Sequence, residues 1–340
     1  MSLDTLRPMP QQRVLILLNS KSGTLANSAT HDEPERIRRG FASAGLDADV
    51  QDADPANAKR QIQSARESGF SAVVVGGGDG TINAIANAVA DTHRDGKPEL
   101  VFAVLPLGTH NHFAKEMGVP DDLESAVPRI ARAVADNTAE PLDMAEINGT
   151  LLLNFSGIGL HPELVESRDR EHKQIRKIPF VSTLLRKFTK PLSMAVAFAR
   201  SIGEIRLLRL GIDADGKRRT VISPAVVIGN NVHQMEVFGV SGMSVCRRDA
   251  LNAYIARVKR PIALVRLLIA AATGSLAKMR EFECVSGKAL TIHYRRPTLK
   301  VSVDGEVMKF KTPLRYRIRK NALKVVQLSE VAASAATAVA

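Results

Sequence analysis

Residues 73–89, VVVGGGDGTINAIANAV, set three glycines, an aspartate, a fourth glycine and a threonine between an apolar run and a helical pattern. Val73, Val74 and Val75 have the β-branched character of an interior parallel strand. Beyond the loop, Ile82, Ile85, Ala86 and Val89 recur at helical spacing, and Thr81 is positioned to cap that helix. Glycines at such a junction let backbone come close to a phosphate, and the free N–H groups of a helix start attract an anion. Asp79 is the discordant member. A carboxylate beside a phosphate repels it unless a cation stands between them, and magnesium is the economical choice. The plainer alternative is a tight turn in which Asp79 bonds its own backbone.

A second loop of this kind follows VFAVLP, where Pro106, Leu107, Gly108 and Thr109 lead through Asn111 into another helix start. Two glycine-bearing loops at successive strand ends, both opening helices, are expected to face one crevice. A third loop, Asn19 to Thr24 (NSKSGT), ends the first strand and offers amide, hydroxyl and Lys21 donors to phosphates. Neither G-x-x-x-x-G-K-[ST] nor G-x-G-x-x-G occurs, so neither a P-loop nor a standard dinucleotide fold is indicated.

The elements that must carry these loops alternate. VLILLN reads as a strand, a helix runs through Ile37 and Phe41, another runs from Pro55 to about Gly69, and a helix follows from about Leu123 to Val134. That rhythm predicts a parallel sheet with helices on its faces. At PLDMAEING strand-like alternation takes over, and LLLNFSGIGL, EIRLLRLGID, AVVIGN, ALTIHY, LKVSVDGEVM and PLRYRIR follow as strands. The predicted fold class is therefore α/β plus β. A doubly wound α/β domain over 11–143 is followed by an antiparallel β-sandwich over 144–320, interrupted by two helical insertions, with a frayed tail over 328–340.

The chain has 340 residues and 45% hydrophobic content, enough for a substantial core in two domains. Its two cysteines, Cys246 and Cys284, have no metal-ligand spacing, which points to a reduced cytoplasmic setting with neither thiol catalytic. MSLDTLRPMPQQ lacks the apolar core of a signal peptide, and no uncharged apolar run is long enough to span a bilayer. The net charge of +12 demands an anionic partner. Aromatics at 4% leave few stacking platforms, and no nucleic-acid-binding pattern occurs, so an anionic membrane surface is favoured over nucleic acid. Two basic, apolar stretches suit peripheral attachment: HKQIRKIPFVSTLLRKFTK, which includes Lys173, Arg176, Lys177, Arg186 and Lys187, and RVKRPIALVRLLIAAATGSLAKMR. Two amphipathic helices packed on a sheet are the bland alternative.

Three ordered motifs, Gly77-Gly78-Asp79-Gly80-Thr81, the PLGT-x-N-x-F-A string from Pro106 to Ala114, and Asp304-Gly305-Glu306, resemble the diacylglycerol kinase catalytic-domain family, especially bacterial lipid kinases related to sphingosine kinases. The likeness runs from about residue 13 to about residue 320. It implies an ATP-binding α/β domain, a β-sandwich lipid domain, and ATP- and Mg2+-dependent phosphorylation of a lipid hydroxyl in the cleft between them. It puts Asn19, Ser22, Gly23, Gly77, Gly78, Gly80, Thr81, Gly108, Thr109 and Asn111 at the nucleotide. Asp79 and Asp143 would serve the metal, through water. It makes Glu306 the general base, while Asp304 and Gly305 are explained by a type I′ hairpin turn. The family string has an acid where this chain has His112; a neutral imidazole could hold a water but would not replace the charge. Around Asp249, Ala250 and Asn252 replace the residues of a structural magnesium site, so that ion is not expected. An NAD kinase with a soluble acceptor shares the GGDGT loop and is the nearest enzyme alternative. A catalytically idle nucleotide-binding regulator is another. The sequence leaves the lipid open, and also the oligomeric state, with a homodimer among the options.

Overall fold

The computed structural model describes residues 12–19, 32–92, 100–108, 111–160, 162–163, 207–229, 250–257 and 282–328. They fall into two compact units, one running to Met144 and resuming at Arg319, the other spanning Ala145–Ile318. Both basic stretches except Arg257, together with Asp249, Cys246 and residues 329–340, lie outside the described residues.

In the first unit, β1 (Arg13–Leu18), α1 (Glu33–Ser43), β2 (Asp47–Asp52), a 3-10 turn (Pro55–Asn57), α2 (Ala58–Glu67), β3 (Ala72–Gly76), α3 (Asp79–Asp91), β4 (Val101–Leu105), α4 (His112–Glu116) and α5 (Leu123–Ala135) follow one another. The strands pair in parallel in the order β2-β1-β3-β4. Every residue of β3 and β4 is buried, as their unbroken apolar runs require. Helix α1 packs on α5, and α2 on α3. Because the chain leaves β1 in one direction for β2 and then crosses back for β3 and β4, right-handed crossovers put those pairs on opposite faces. On α1, Ile37 and Phe41 are the buried stripe. Gly40 sits where the helix meets α5: a Cβ there would lie 2.4 Å from Val127 Cγ1.

The second unit is antiparallel. It takes up the chain within β5 (Glu140–Ile147) and continues through β6 (Thr150–Leu152), β7 (Phe155–Gly159), β8 (Leu208–Ala214), β9 (Lys217–Ser223), β10 (Ala225–Gly229), β11 (Leu251–Ala256), β12 (Phe282–Gly287), β13 (Ala289–His293), β14 (Thr298–Val303), β15 (Glu306–Lys311) and β16 (Leu314–Val325). One sheet has the order β12-β11-β10-β7-β14-β15, and the other runs β16-β13-β8-β9. Their inner faces meet in a core that includes Ile158, Ile228, Val301, Leu210, Ile292 and Tyr316. Ser156 Oγ donates to Tyr316 Oη across this core at 3.1 Å, and burial pushes the tyrosine hydroxyl well above its ordinary range. Three strands lie outside the strands read from the sequence, β9, β11 and β12. KRRTVIS opens with three cations and FECVSG mixes acid, thiol and hydroxyl, so neither offers clean alternation.

The last strand serves both units. Residues of β16 up to Arg317 pair antiparallel with β13, whereas Lys324 and Val325 pair in parallel with Val101 and Phe102 of β4. The α/β sheet thereby gains a fifth strand that the sequence reading, ending its second domain at residue 320, does not assign to it.

Gly40→Ala is expected to lower stability by about 1–3 kcal/mol through overpacking, despite alanine's better helix propensity. Val127→Ala in the same chain should relieve part of that loss, and denaturant midpoints of the two single variants and the double variant measure the coupling.

Candidate active site

In the first unit the strand order reverses between β1 and β3, because β1 leads outward to β2 and β3 leads the other way to β4. Ligands of open α/β sheets bind outside the carboxyl ends of the strands at such a point. Here those ends carry Asn19 and the Gly77-Gly78-Asp79 loop. The two are fastened together: Asn19 N–H donates to the Gly76 carbonyl at 2.8 Å and Asn19 Nδ2 donates to Thr81 Oγ1 at 2.7 Å. Thr81 is thus not the cap that its sequence position suggests. The helix begins earlier, at Asp79, with Gly78 as N-cap in extended conformation (φ −76°, ψ 167°) and no capping side chain. Thr81 falls in the first turn and is buried, where Asn19 occupies its hydroxyl. The first-turn amides are left without a side-chain acceptor, the condition under which a helix start holds an anion.

The loop after β4 leans on the loop after β3. A Cβ on Gly108 would lie 3.0 Å from both the Gly77 carbonyl oxygen and Gly78 Cα, and 2.9 Å from Asn111 Oδ1. A Cβ on Gly77 would lie 3.0 Å from Thr81 Cβ and 3.3 Å from Asn19 Cβ. Gly78 differs, with nothing within 4 Å of where its Cβ would be. So Gly77 and Gly108 allow the loops to close on each other, while Gly78 keeps the space above the helix start clear. Asn111 braces the second loop from inside. It is buried and left-handed (φ 51°), it accepts from Gly108 N–H at 2.7 Å, and its Nδ2 donates to the Pro106 carbonyl at 3.2 Å. Gly80 is the second residue of α3. Ser22, Gly23 and Thr109 lie outside the described residues.

Asp79 Oδ1 is buried with no hydrogen-bond partner among the described residues. A turn aspartate satisfied by its own backbone would not show this. A buried carboxylate oxygen left open beside unoccupied helix-start donors fits a cation that bridges to phosphate, so the residues present suit magnesium. Among the described residues no cluster of three or more His, Cys, Asp or Glu side chains forms a ready-made metal cage. Asp143 is engaged elsewhere: its carboxylate is ion-paired with Lys320 Nζ and accepts from Asn321 N–H at 2.9 Å. Partial burial alone would raise its pKa, but the Lys320 ammonium and the Asn321 amide outweigh that and hold it below the usual carboxylate range. His112 is exposed at the first residue of α4.

In the second unit, Asp304 and Gly305 both have positive φ (48° and 88°), as a type I′ hairpin needs. Asp304 does more than turn the chain. Its carboxylate accepts from the N–H groups of Leu153 (2.9 Å), Asn154 (2.7 Å) and Phe155 (3.0 Å), pinning the β6–β7 connection to the β14–β15 turn. Glu306, the first residue of β15, is exposed, and no hydrogen bond or ion pair reaches its carboxylate among the described residues. The bracing roles of Asn111, Asp304 and Asn19 escape sequence reasoning, since each joins groups that only the fold brings together.

A parallel α/β unit with glycine loops and an open carboxylate oxygen at its switch point, in a chain that continues into a β-sandwich, has the layout of a two-domain kinase fold. Family models sharpen the class: the diacylglycerol kinase catalytic domain matches residues 13–147, and the YegS C-terminal NAD kinase beta sandwich-like domain matches residues 181–327. The chain belongs to the diacylglycerol kinase catalytic-domain family of the bacterial YegS-like type. It is 33% identical over 168 residues to a Pseudomonas aeruginosa protein named "Probable lipid kinase YegS-like", covering 49% of this chain and 51% of that one. Against the Escherichia coli protein "Probable lipid kinase YegS" it is 41% identical over 92 residues, 27% of this chain and 29% of the relative. The matches to the Pseudomonas relative thus span about half its length. A crystal structure described as a diacylglycerol kinase from Bacillus anthracis superposes over 95% of this chain and 99% of its own, with a TM-score of 0.62 at 18% identity, which establishes the shared fold.

Gly108→Ala should separate the two loops, because the added methyl meets the Gly77 and Gly78 backbone rather than a side chain that can rotate away. A loss of about 1–3 kcal/mol in stability is expected, read from denaturant unfolding, with nucleotide affinity falling in parallel. Asp304→Asn preserves the shape of the turn but offers one acceptor oxygen to three N–H groups, and is expected to lower stability by about 1–3 kcal/mol in the same measurement.

Proposed function

We propose that the protein is a lipid kinase that transfers the γ-phosphate of ATP to a lipid hydroxyl, with a diacylglycerol-like acceptor first. The observation that carries this reading is the orphaned Asp79 oxygen in the first turn of α3, between two glycine loops at the switch point of the sheet. Asp79 would hold the Mg2+ of the nucleotide, directly or through water, and the ion would neutralise charge on the phosphates as they separate. The Gly77–Gly78 loop and the free amides of α3 bind and orient the phosphate chain, while Asn19 and Asn111 keep both loops in position. The Asp143–Lys320 pair makes Asp143 a poorer candidate for the metal than its motif position suggests.

Transfer requires the acceptor oxygen to attack the γ-phosphorus, the bond to the ADP oxygen to break, and the hydroxyl proton to leave. Glu306 is the proposed acceptor of that proton. It stands on a hairpin whose turn is anchored through Asp304, and its own carboxylate is exposed and unengaged among the described residues, as a base awaiting substrate must be. Membership of the family supports the same assignment. The +12 net charge supports a cytoplasmic enzyme that docks peripherally on anionic membrane. Among the described residues no helix is long and apolar enough to cross a bilayer.

Incubation with ATP, magnesium and a total lipid extract, followed by mass spectrometry, tests the reading directly. A new phosphorylated lipid is expected. Phosphorylation of NAD alone would make the protein an NAD kinase, and no ATP consumption with either acceptor would leave it an idle nucleotide binder. Asp79→Ala should weaken magnesium-dependent nucleotide binding. Glu306→Ala should leave nucleotide binding nearly intact and cut turnover roughly 10²–10⁴-fold, the scale of a general base; near-normal turnover would discard that assignment.

A further inference from the structure

The outer face of the β16-β13-β8-β9 sheet breaks the pattern of a solvated antiparallel sheet. Its inner face carries Leu314 and Tyr316, Leu290 and Ile292, Leu210 and Ile212, and Val221, all buried. The outward positions should be uniformly polar. Instead, Ile222 stands 55% exposed opposite Arg209, and Leu207, just before β8, is 49% exposed. Only three large apolar side chains are exposed among the described residues, and these are two of them. The alternation of the strand gives Leu207 the same face as Arg209, so the two apolar groups are neighbours across the β8–β9 ladder.

Arginines lie on the same face. Arg315, Thr291, Asp213 and Arg218 lie in one row across four strands by register, and Arg209 flanks the apolar pair. Arg209, Arg218 and Arg315 make no ion pair among the described residues, whereas Arg317 on the same face is paired with Glu146. Arg218 is also held in place. A Cβ on Gly211 would lie 3.3 Å from its Nε and Nη2, so the absent side chain is the floor on which the guanidinium rests. The one acid in the row, Asp213, accepts from Gly216 N–H in the adjacent turn at 2.9 Å.

Protection of an edge strand accounts for the cations at Lys217, Arg218 and Arg219. It does not account for Ile222 and Leu207, which make an edge more adhesive. We propose that this sheet face docks the protein on an anionic membrane: Leu207 and Ile222 enter the headgroup region while Arg209, Arg218 and Arg315 meet lipid phosphates along the same face. Two exposed aliphatic side chains on a sheet face that also carries unpaired guanidinium groups complement an interface that is anionic at its surface and apolar just beneath. A nucleic acid backbone would meet the arginines but has no counterpart for the aliphatic pair. The proposal deepens the lipid-kinase reading and rests on it for the relevance of a membrane. The docking surface it names is built from residues other than those of the two basic stretches singled out in the sequence.

The test compares the wild-type chain with the triple variant Arg209→Gln/Arg218→Gln/Arg315→Gln and the double variant Leu207→Ser/Ile222→Ser. Co-sedimentation is measured with vesicles of phosphatidylcholine alone and of phosphatidylcholine with phosphatidylserine. Turnover on a short-chain, water-dispersed diacylglycerol and thermal melting are followed in parallel. Each arginine near an anionic surface is expected to contribute about fivefold in vesicle affinity, so the triple variant should bind phosphatidylserine vesicles at least about tenfold more weakly. The double variant should bind more weakly without losing its salt dependence. Melting and turnover on the dispersed lipid should be unchanged for both. If either set melts early, the single variants Arg209→Gln and Ile222→Ser carry the test, each expected to weaken vesicle binding on its own. Vesicle binding equal to wild type in folded variants overturns the proposal. So does duplex RNA binding that falls with the arginines while vesicle binding does not. If wild-type protein phosphorylates no lipid and the vesicle effects still appear, the docking surface stands and the kinase reading falls; turnover on lipid with unaffected docking gives the reverse.

Discussion

The loop end of the α/β unit depends on a missing side chain. At Gly108 two loops from different strands touch backbone to backbone, and a single methyl would wedge them apart. From that contact the rest follows. The Gly77 carbonyl is fixed, the start of α3 is fixed with it, and Asn19 can then span from β1 to Thr81 and lock the third strand end to the other two. Asn111 turns the same glycine into a hydrogen-bonded corner by taking its N–H, a task that needs the left-handed backbone that asparagine tolerates well. The interaction is steric before it is chemical. It holds the amides and the Asp79 carboxylate in position before a ligand arrives, and preorganisation of that kind is what electrostatic catalysis draws on.

Much of this architecture was legible in the residues. VVVGGG and VFAVLP could only be interior strands, and their glycine loops had to sit at strand ends, so the alternation gave the parallel sheet and the likelihood of a shared crevice between the loops. The strand order was not legible, since nothing in a buried apolar run says which neighbour it pairs with. The helix cap was misread for a related reason. A threonine before an apolar stripe is a sound capping signal, but Asn19 lies far away in the chain and claims that hydroxyl, and glycine takes the cap. Strands β9 and β12 hide because their outward residues are as informative as their inward ones are sparse: RRTVI and ECVS do not alternate cleanly, and only the pairing partners make them strands.

The two acids at the family's motif positions also separate in physical terms. Asp79 is half-buried with one buried oxygen to spare, while Asp143 has a lysine and an amide on it. Sequence sees two aspartates of equal standing. The fold distinguishes them by what else is within reach, and the partner of Asp143 comes from β16, at the other end of the chain. Asp304 makes a similar point from the opposite side. A turn residue by every local rule, it gathers three amides from a distant connection and so supports the hairpin that presents Glu306.

The path of β16 bears on how the chain is made. Translation delivers the first four parallel strands early, but the strand that pairs with Val101 and Phe102 emerges only after the whole second unit has been synthesised. Until then β4 offers an open apolar ladder to any other chain nearby, the kind of edge that nascent proteins hide in chaperones. The α/β unit is consequently a late finisher on the ribosome although its residues come first, and a fragment ending before residue 319 would carry that unfinished edge permanently.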